Sequence, residues 1–331
     1  MELSIITGPA CAETLISGIE KRITELSGRP FRVTTWKNHK FRDGEFLPQI
    51  NENVRGADVY VVQPTNQPEE NFKYLKLLLG AAAGASAFSV TAVLPYMGGL
   101  RQDRKDRPRV DITAKQVAKE IEQAMTGAPR RHVIILHPHF QQIQIAFDIP
   151  TDLIYPTDII IRQLKEVLGE NLSNFIPVAP DTGALKLASI FAKRLESENL
   201  AFADKRRDKD DQAYIKDIVG YILGKIPGIF EDIIDTANTL KGVMFKLYEK
   251  GAEKNTGYIF ATHGVLAKGA IENIIEAKVK HVFITDSINH ENDNLPKELI
   301  TVTSVGELIG EAIYRNHTNQ SLSAISGMFN K

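Results

Sequence analysis

The chain has 331 residues, enough for two domains of ordinary size with a core in each. Hydrophobic residues make up 43% and charged residues 24%, which excludes intrinsic disorder, while 40 Lys+Arg against 41 Asp+Glu leave a net charge of -1 and argue against a bulk basic surface for nucleic acid. A single cysteine, Cys11, excludes an intrachain disulfide and a cysteine-based zinc site.

The opening MELSIITGPA has neither the basic segment nor the long apolar run of a secretory signal, so a cytoplasmic location is expected. A helix is predicted over 11–24, a strand over 59–63, a helix over 71–85 and a strand over 89–94. The most apolar window, 77–90, is broken by Gly80, Gly84, Ser86 and Ser89 and falls short of the roughly 18–20 apolar residues of a membrane span, so no membrane contact is expected. A helix over 113–124 and a strand over 133–136 follow. Two prolines and Asp152 then interrupt the pattern between Asp148 and Pro156, dividing the chain into an N-terminal domain, 1–150, and a C-terminal domain, 151–331. The second half repeats the alternation. Helices are predicted over 158–168, 183–197, 238–249, 267–277 and 305–316, and strands over 175–179, 221–223, 228–230, 258–261 and 281–285. Most strand candidates are continuous apolar runs, as in strands buried on both faces of a parallel sheet. The expected class is therefore α/β, with two like-built halves, each a mainly parallel sheet flanked by helices.

The clearest chemical signal runs from Gly228 to Thr239. An apolar strand leads into two acids, Glu231 and Asp232. An Asp235-Thr236-Ala237-Asn238-Thr239 turn then opens a helix. Backbone N–H groups and threonine hydroxyls at a helix N-terminus bind phosphate, and paired acids before it can accept hydrogen bonds from the vicinal hydroxyls of a ribose. The plain alternative is a capped helix after a solvated turn. A second signal is the stretch 95–105, Pro-Tyr-Met-Gly-Gly-Leu-Arg-Gln-Asp-Arg-Lys. Five basic residues fall between Arg101 and Arg109, with Asp103 and Asp106 among them. Charge density alone favours a solvated loop there, although arginine also suits bidentate phosphate contact and stacking on a base. Gly220-x-x-x-Gly224-Lys225 imitates a phosphate loop, but its spacing is short and Ile226 stands where Ser or Thr is needed.

The first signal resembles the phosphoribosyl-pyrophosphate loop of the type I phosphoribosyltransferase fold. That fold serves both nucleobase phosphoribosyltransferases and ribose-phosphate pyrophosphokinases. The Glu231-Asp232 start is nearer the base-transferring branch, whereas the stretch 95–105, with Thr113-Ala114-Lys115 after it, closely resembles the pyrophosphokinase ATP loop. Further likenesses to the pyrophosphokinases cover nearly the whole chain: Phe41-x-Asp43-Gly44-Glu45, the run from Asn53 through Arg55 to Asp58, and His139-x-x-Gln142-Ile143-Gln144. They continue with Pro180-Asp181-x-Gly183, Asp204-Lys205-Arg206-Arg207, Ala261-Thr262-His263-Gly264, Ser321-Leu322-Ser323 and Met328-Phe329. The chain differs from the family pattern at His137, Ala184, Glu231 and Asn238.

The resemblance implies transfer of the β,γ-diphosphoryl group of ATP to the 1-hydroxyl of ribose 5-phosphate, with Mg2+ as cofactor. It implies ATP contacts at Phe41, Asp43, Gly44 and Glu45, reached from a neighbouring subunit, and at Arg101 and Gln102. It assigns ribose 5-phosphate to Arg207, Glu231, Asp232, Asp235, Thr236, Ala237, Asn238 and Thr239, and the metal to His139 and Asp181. Lys205 and Arg207 take the catalytic role on a mobile loop. A homo-oligomer, with a hexamer as the expected form, follows from the same likeness, as does a phosphate or ADP effector site at Arg55, Ser321 and Ser323. A nucleobase phosphoribosyltransferase and a non-catalytic regulatory paralogue remain the two alternatives.

Overall fold

The computed structural model describes residues 1–207 and 213–325. Met328 and Phe329, and the acids Asp208, Asp210 and Asp211 beside the expected catalytic loop, lie outside the described residues. β1 (Leu3–Thr7) leads into α1 (Glu13–Ser27), followed by an antiparallel hairpin of β2 (Trp36–Lys40) and β3 (Phe46–Ile50). Then come β4 (Asp58–Val62), α2 (Glu70–Gly84), β5 (Ser89–Leu94), α3 (Thr113–Ala124), β6 (Arg130–Leu136) and β7 (Thr151–Ile154). The second series opens with α4 (Thr157–Leu168), β8 (Phe175–Ala179), α5 (Leu185–Arg194), β9 (Ala201–Arg207) and β10 (Ala213–Val219). It continues with β11 (Ile226–Ile234), α6 (Asn238–Glu249), β12 (Tyr258–Gly264) and α7 (Ala270–Glu276). β13 (His281–Thr285), β14 (Ile300–Thr303) and α8 (Gly306–His317) close it.

The chain forms two compact units. The first holds Met1–Tyr155, the segment Asp286–Glu291 and the chain from Ser304 onward; the second holds Pro156–Thr285 and Asn292–Thr303. α8 thus belongs to the first unit, although it comes long after the interruption at Asp148 to Pro156. In the first unit five parallel strands stand in the order β1-β4-β5-β6-β7. β4 and β5 are buried along their whole length, which is why their sequences read as nearly continuous apolar runs, broken only by Asp58, Ser89 and Thr91. Leu75, Leu78 and Leu79 of α2 and Ala118 and Ile121 of α3 cover the face presented by Val59, Val61, Ala92 and Ile135. Tyr60 points to the opposite face, where its hydroxyl donates to Asn316 of α8 at 2.7 Å. α8 in turn packs closely on α1. A Cβ added to Gly306 would stand 2.4 Å from the Leu15 carbonyl oxygen and 2.9 Å from the Gly18 Cα, so any side chain there would force the helices apart.

The second unit has five parallel strands in the order β8-β11-β12-β13-β14, with β9 parallel to β8 and β10 antiparallel to β9 at the sheet edge. Alternate residues divide the core. Ile229, Ile259 and Val282 face Leu240, Val243 and Leu247 of α6. Phe230, Phe260 and Phe283 point the other way and stack with Phe191 of α5, at centroid distances of 3.9, 5.3 and 5.0 Å along the row. Among the described residues, no helix is long and apolar enough to cross a membrane.

Two expectations are corrected here. Residues 221–223 form no strand: Gly220 and Gly224 on either side have φ of +127° and +67°, and Tyr221 and Leu223 are 62% and 63% exposed. Three apolar residues between such turns cannot join a sheet. Residues 204–207 lie not in a loop but on β9, paired with β10, because Ala201 and Ala203 are buried and hold the strand to the sheet while Arg206 faces solvent. The sequence reading also missed the short or polar strands β1, β2, β3, β7, β10 and β14.

Candidate active site

In the first unit, the β2–β3 hairpin is anchored at its base and open at its tip. Trp36 Nε1 donates to the Thr7 carbonyl at 2.8 Å, Phe46 stacks on Tyr74 of α2 at 4.2 Å, and the Lys73 ammonium lies 4.5 Å above the Phe46 ring. The tip is closed by Phe41 N–H to the Glu45 carbonyl (2.8 Å) and by Glu45 N–H to Asp43 Oδ1 (3.0 Å). Gly44 supplies the positive φ, +92°, that this turn requires. Phe41 is left 54% exposed at the tip, with Asp43, Gly44 and Glu45 also exposed.

The stretch after β5 carries Arg101 and Gln102, both exposed. The Gly98 N–H donates to Thr65 Oγ1 at 2.8 Å. The Thr113 hydroxyl donates to Gln102 Oε1 at 2.7 Å, and the Ala114 N–H donates to the Gln102 carbonyl at 3.2 Å. After β6 the two histidines take different places. His137 is buried, with φ +39° and its ring edge-on to Tyr155 at 5.1 Å, whereas His139 is exposed. Ser323 lines a small cleft of about 160 Å³ with Gln144, Asp152 and Tyr155. Arg55 is not among the residues lining it; its guanidinium donates to Ser86 at 3.4 Å.

In the second unit, the strand ends gather the residues expected to form the phosphate loop. β11 turns from apolar to acidic at Glu231 and Asp232, and the chain then bends into α6 through Ala237, which takes the left-handed conformation (φ 57°, ψ 9°). A residue in that conformation bends the chain sharply before the first helical turn, whose N–H groups have no intrahelical partners. The loop is braced from the neighbouring strand end and from α7: the Ala267 N–H donates to the Asp235 carbonyl at 3.0 Å, and Asn273 Nδ2 donates to the Thr236 carbonyl at 2.9 Å. Lys241 of α6 holds Asn273 in turn, through Oδ1 at 2.6 Å. Asn273 was missed in the sequence; it stands 37 residues from its partner and no local pattern marks it.

Lys205 reaches from β9 to Thr239, with Nζ 3.3 Å from Oγ1. Asp181, after β8, accepts the N–H groups of Gly183 and Ala184 through Oδ1 at 2.8 and 3.1 Å, which fixes its carboxylate. Burial, and then the negative charges of Asp232 and Asp181, push Glu231 well above the usual carboxylate range; the Lys205 ammonium opposes the shift. Asp181, Lys205, Glu231 and Asp232 therefore share one electrostatic neighbourhood. The backbone of Arg207 continues β9 opposite Ala213, while its side chain lies outside the description. His139 belongs to the first unit and Asp181 to the second. Among the described residues, no three His, Cys, Asp or Glu side chains stand close enough together to hold a metal ion by themselves.

Residues 4–124 match the family described as the N-terminal domain of ribose phosphate pyrophosphokinase, and residues 209–326 match the phosphoribosyl synthetase-associated domain. The ribose-phosphate pyrophosphokinase of Thermosipho africanus is 39% identical over 327 residues, covering 98% of this chain and 97% of that one. That of Brucella melitensis is 41% identical over 287 residues, or 86% of this chain and 90% of the relative. Among solved structures, the phosphoribosylpyrophosphate synthetase of Mycobacterium smegmatis superposes with a TM-score of 0.81 at 28% identity, over 96% of this chain and all of that one (100%). A match of this length at both sequence and fold level spans the stretch 95–105 as well as the loop 231–239, and the chain belongs to the ribose-phosphate pyrophosphokinase family.

Proposed function

We propose that this enzyme transfers the β,γ-diphosphoryl group of ATP to ribose 5-phosphate, giving 5-phosphoribosyl 1-pyrophosphate and AMP. The observation that carries the reading is the second unit's strand end, where two acids, a bent loop opening α6, and Lys205 against Thr239 stand together. Helix N–H groups with the Thr236, Asn238 and Thr239 side chains suit a terminal phosphate, and Asp235 and Ala237 complete the loop that presents them. Glu231 and Asp232 suit the ribose hydroxyls. The 1-hydroxyl oxygen bonds to the β-phosphorus, the bond from that phosphorus to the α,β-bridging oxygen breaks, the hydroxyl proton is lost to solvent, and AMP leaves. Such transfer depends mostly on positioning and on stabilising charge. Lys205 and Arg207 are assigned to that charge, Arg101 and Gln102 to ATP.

Mg2+ is the assigned cofactor; it prefers oxygen ligands, takes one or two from the protein and completes its shell with phosphate oxygens and water. Asp181 offers a hard oxygen held by its own turn, and His139 is the other ligand assigned. The ion would neutralise phosphate charge. Phe41, Asp43, Gly44 and Glu45 on the exposed hairpin tip suit completion of a neighbouring copy's ATP site, so a homo-oligomer, taken as a hexamer, is part of the proposal. A phosphate or ADP effector at Arg55, Ser321 and Ser323 and a cytoplasmic location complete it. A nucleobase phosphoribosyltransferase would need the second unit's loop but not the Arg101–Gln102 stretch. Incubation of the protein with ATP, ribose 5-phosphate and Mg2+ should release AMP only when the sugar phosphate is present. Release of pyrophosphate from 5-phosphoribosyl 1-pyrophosphate on adding a nucleobase, with no AMP from ATP, would favour the other branch.

A further inference from the structure

Thr113 is the first residue of α3, and its two branches hold two points of the stretch before it. Gly99 has φ +78°, and a Cβ there would come within 3.3 Å of Thr113 Cγ2 and 2.9 Å of Val117 Cγ2, so the threonine methyl lies directly against the Gly99 turn. The hydroxyl donates to Gln102 Oε1 at 2.7 Å, while the next N–H, of Ala114, donates to the Gln102 carbonyl at 3.2 Å. At the other end, Gly98 bonds Thr65 Oγ1 at 2.8 Å and lies so close to the Thr65 carbonyl that an added Cβ would stand 2.4 Å from its oxygen. The stretch from Gly98 to Gln102 is pinned at both ends, and Gln102 at both its main chain and its side chain.

A carboxamide can turn over in nearly the same space, presenting either a carbonyl acceptor or two N–H donors. With Oε1 taken by a hydroxyl donor, the NH2 group of Gln102 is the part turned away from α3. We propose that Thr113 is a positioning residue for nucleotide binding: its hydroxyl fixes the Gln102 carboxamide with the N–H donors outward, toward the acceptor atoms of ATP. This rests on the reading of Gln102 as an ATP contact.

Thr113→Val keeps the branched shape against Gly99 and removes the hydroxyl, whereas Thr113→Ser keeps the hydroxyl. Steady-state kinetics of the full chain should show the KM for ATP raised roughly three- to tenfold in Thr113→Val, as for a lost neutral hydrogen bond. The KM for ribose 5-phosphate and kcat should stay within about twofold, and Thr113→Ser should behave as the parent. In a Gln102→Ala background, Thr113→Val should add nothing to the KM for ATP, because the group it orients is gone. An effect of Thr113→Val that persists in that background, or that raises both KM values alike, overturns the positioning role alone. A Gln102→Ala variant with the parent's KM for ATP overturns both that role and the assignment of Gln102.

Discussion

Replacing Lys205 with alanine removes a cation from the site to which the sugar phosphate is assigned. Its ammonium stands 3.3 Å from Thr239 Oγ1 and acts on Glu231, which burial, and then Asp232 and Asp181, drive toward protonation. Two roles are open to it, and they are felt in different constants. As a strut for Thr239 it makes one charge-assisted bond worth about 1.5–3 kcal/mol, felt through the placing of Thr239 in the KM for ribose 5-phosphate rather than in kcat. As a preorganised donor to charge that develops during transfer, it is worth about 2.7–4 kcal/mol, or about 10²–10³ in kcat. Lys205→Ala should therefore lower kcat by about 10²–10³ with little change in either KM, as for an interaction made only in the transition state. Thr239→Val, which removes the strut together with the hydroxyl assigned to the sugar phosphate, should raise the KM for ribose 5-phosphate but leave kcat within about tenfold. The assay is the initial rate of AMP formation with each substrate varied at saturation of the other. A Lys205→Ala kcat within about threefold of the parent refutes the catalytic role, since a preorganised donor is worth far more. A large KM rise alone would instead make Lys205 a ground-state contact.

Asp235→Ala and Thr239→Ala should each raise the KM for ribose 5-phosphate about ten- to a hundredfold and leave that for ATP nearly unchanged; an unaltered ribose-phosphate KM in both would place the sugar phosphate elsewhere. Glu231 has its folded pKa above that of the unfolded chain, so the native state binds the extra proton and stability falls as pH rises from the unfolded value through the raised one. Glu231→Gln should accordingly melt higher than the parent at pH 8, with the gap closing toward pH 5; a gap that widens on acidification contradicts the shift. Sedimentation velocity should find a homo-oligomer under assay conditions, and a fully active monomer would exclude a hairpin tip that completes its neighbour's site.

The sheets were readable because their central strands are buried on both faces. Ser89–Leu94 and Phe175–Ala179 show as nearly continuous apolar runs with the bounds they have in the fold. Strands without such burial escaped. β2 is short and largely polar and β3 is short and carries a proline, Pro48, while Phe46 of β3 stacking on Tyr74 helps to hold the hairpin. β9 was hidden by its charges, because the buried Ala201 and Ala203 that fix it are too small to stand out. Residues 221–223 erred the other way, apolar but isolated between two glycines of positive φ. The candidate phosphate loop was legible because its residues are consecutive. Its brace Asn273 was not, nor was the hold of Thr113 on Gln102: these contacts span 37 and 11 residues, and only the folded backbone brings the partners together. His137, where the chain departs from the family pattern, also gains a physical setting. That ring packs on Tyr155 inside the unit, and it is His139 that meets solvent.

The central claim is that two phosphates move together from ATP to the sugar. ATP labelled in its γ-phosphate distinguishes this directly when incubated with the protein, ribose 5-phosphate and Mg2+ and followed by 31P NMR or by separation of products. The account predicts unlabelled AMP, no ADP, and the label in the terminal phosphate of a diphosphate on the sugar 1-oxygen. ADP formed together with a labelled sugar monophosphoryl product would contradict it.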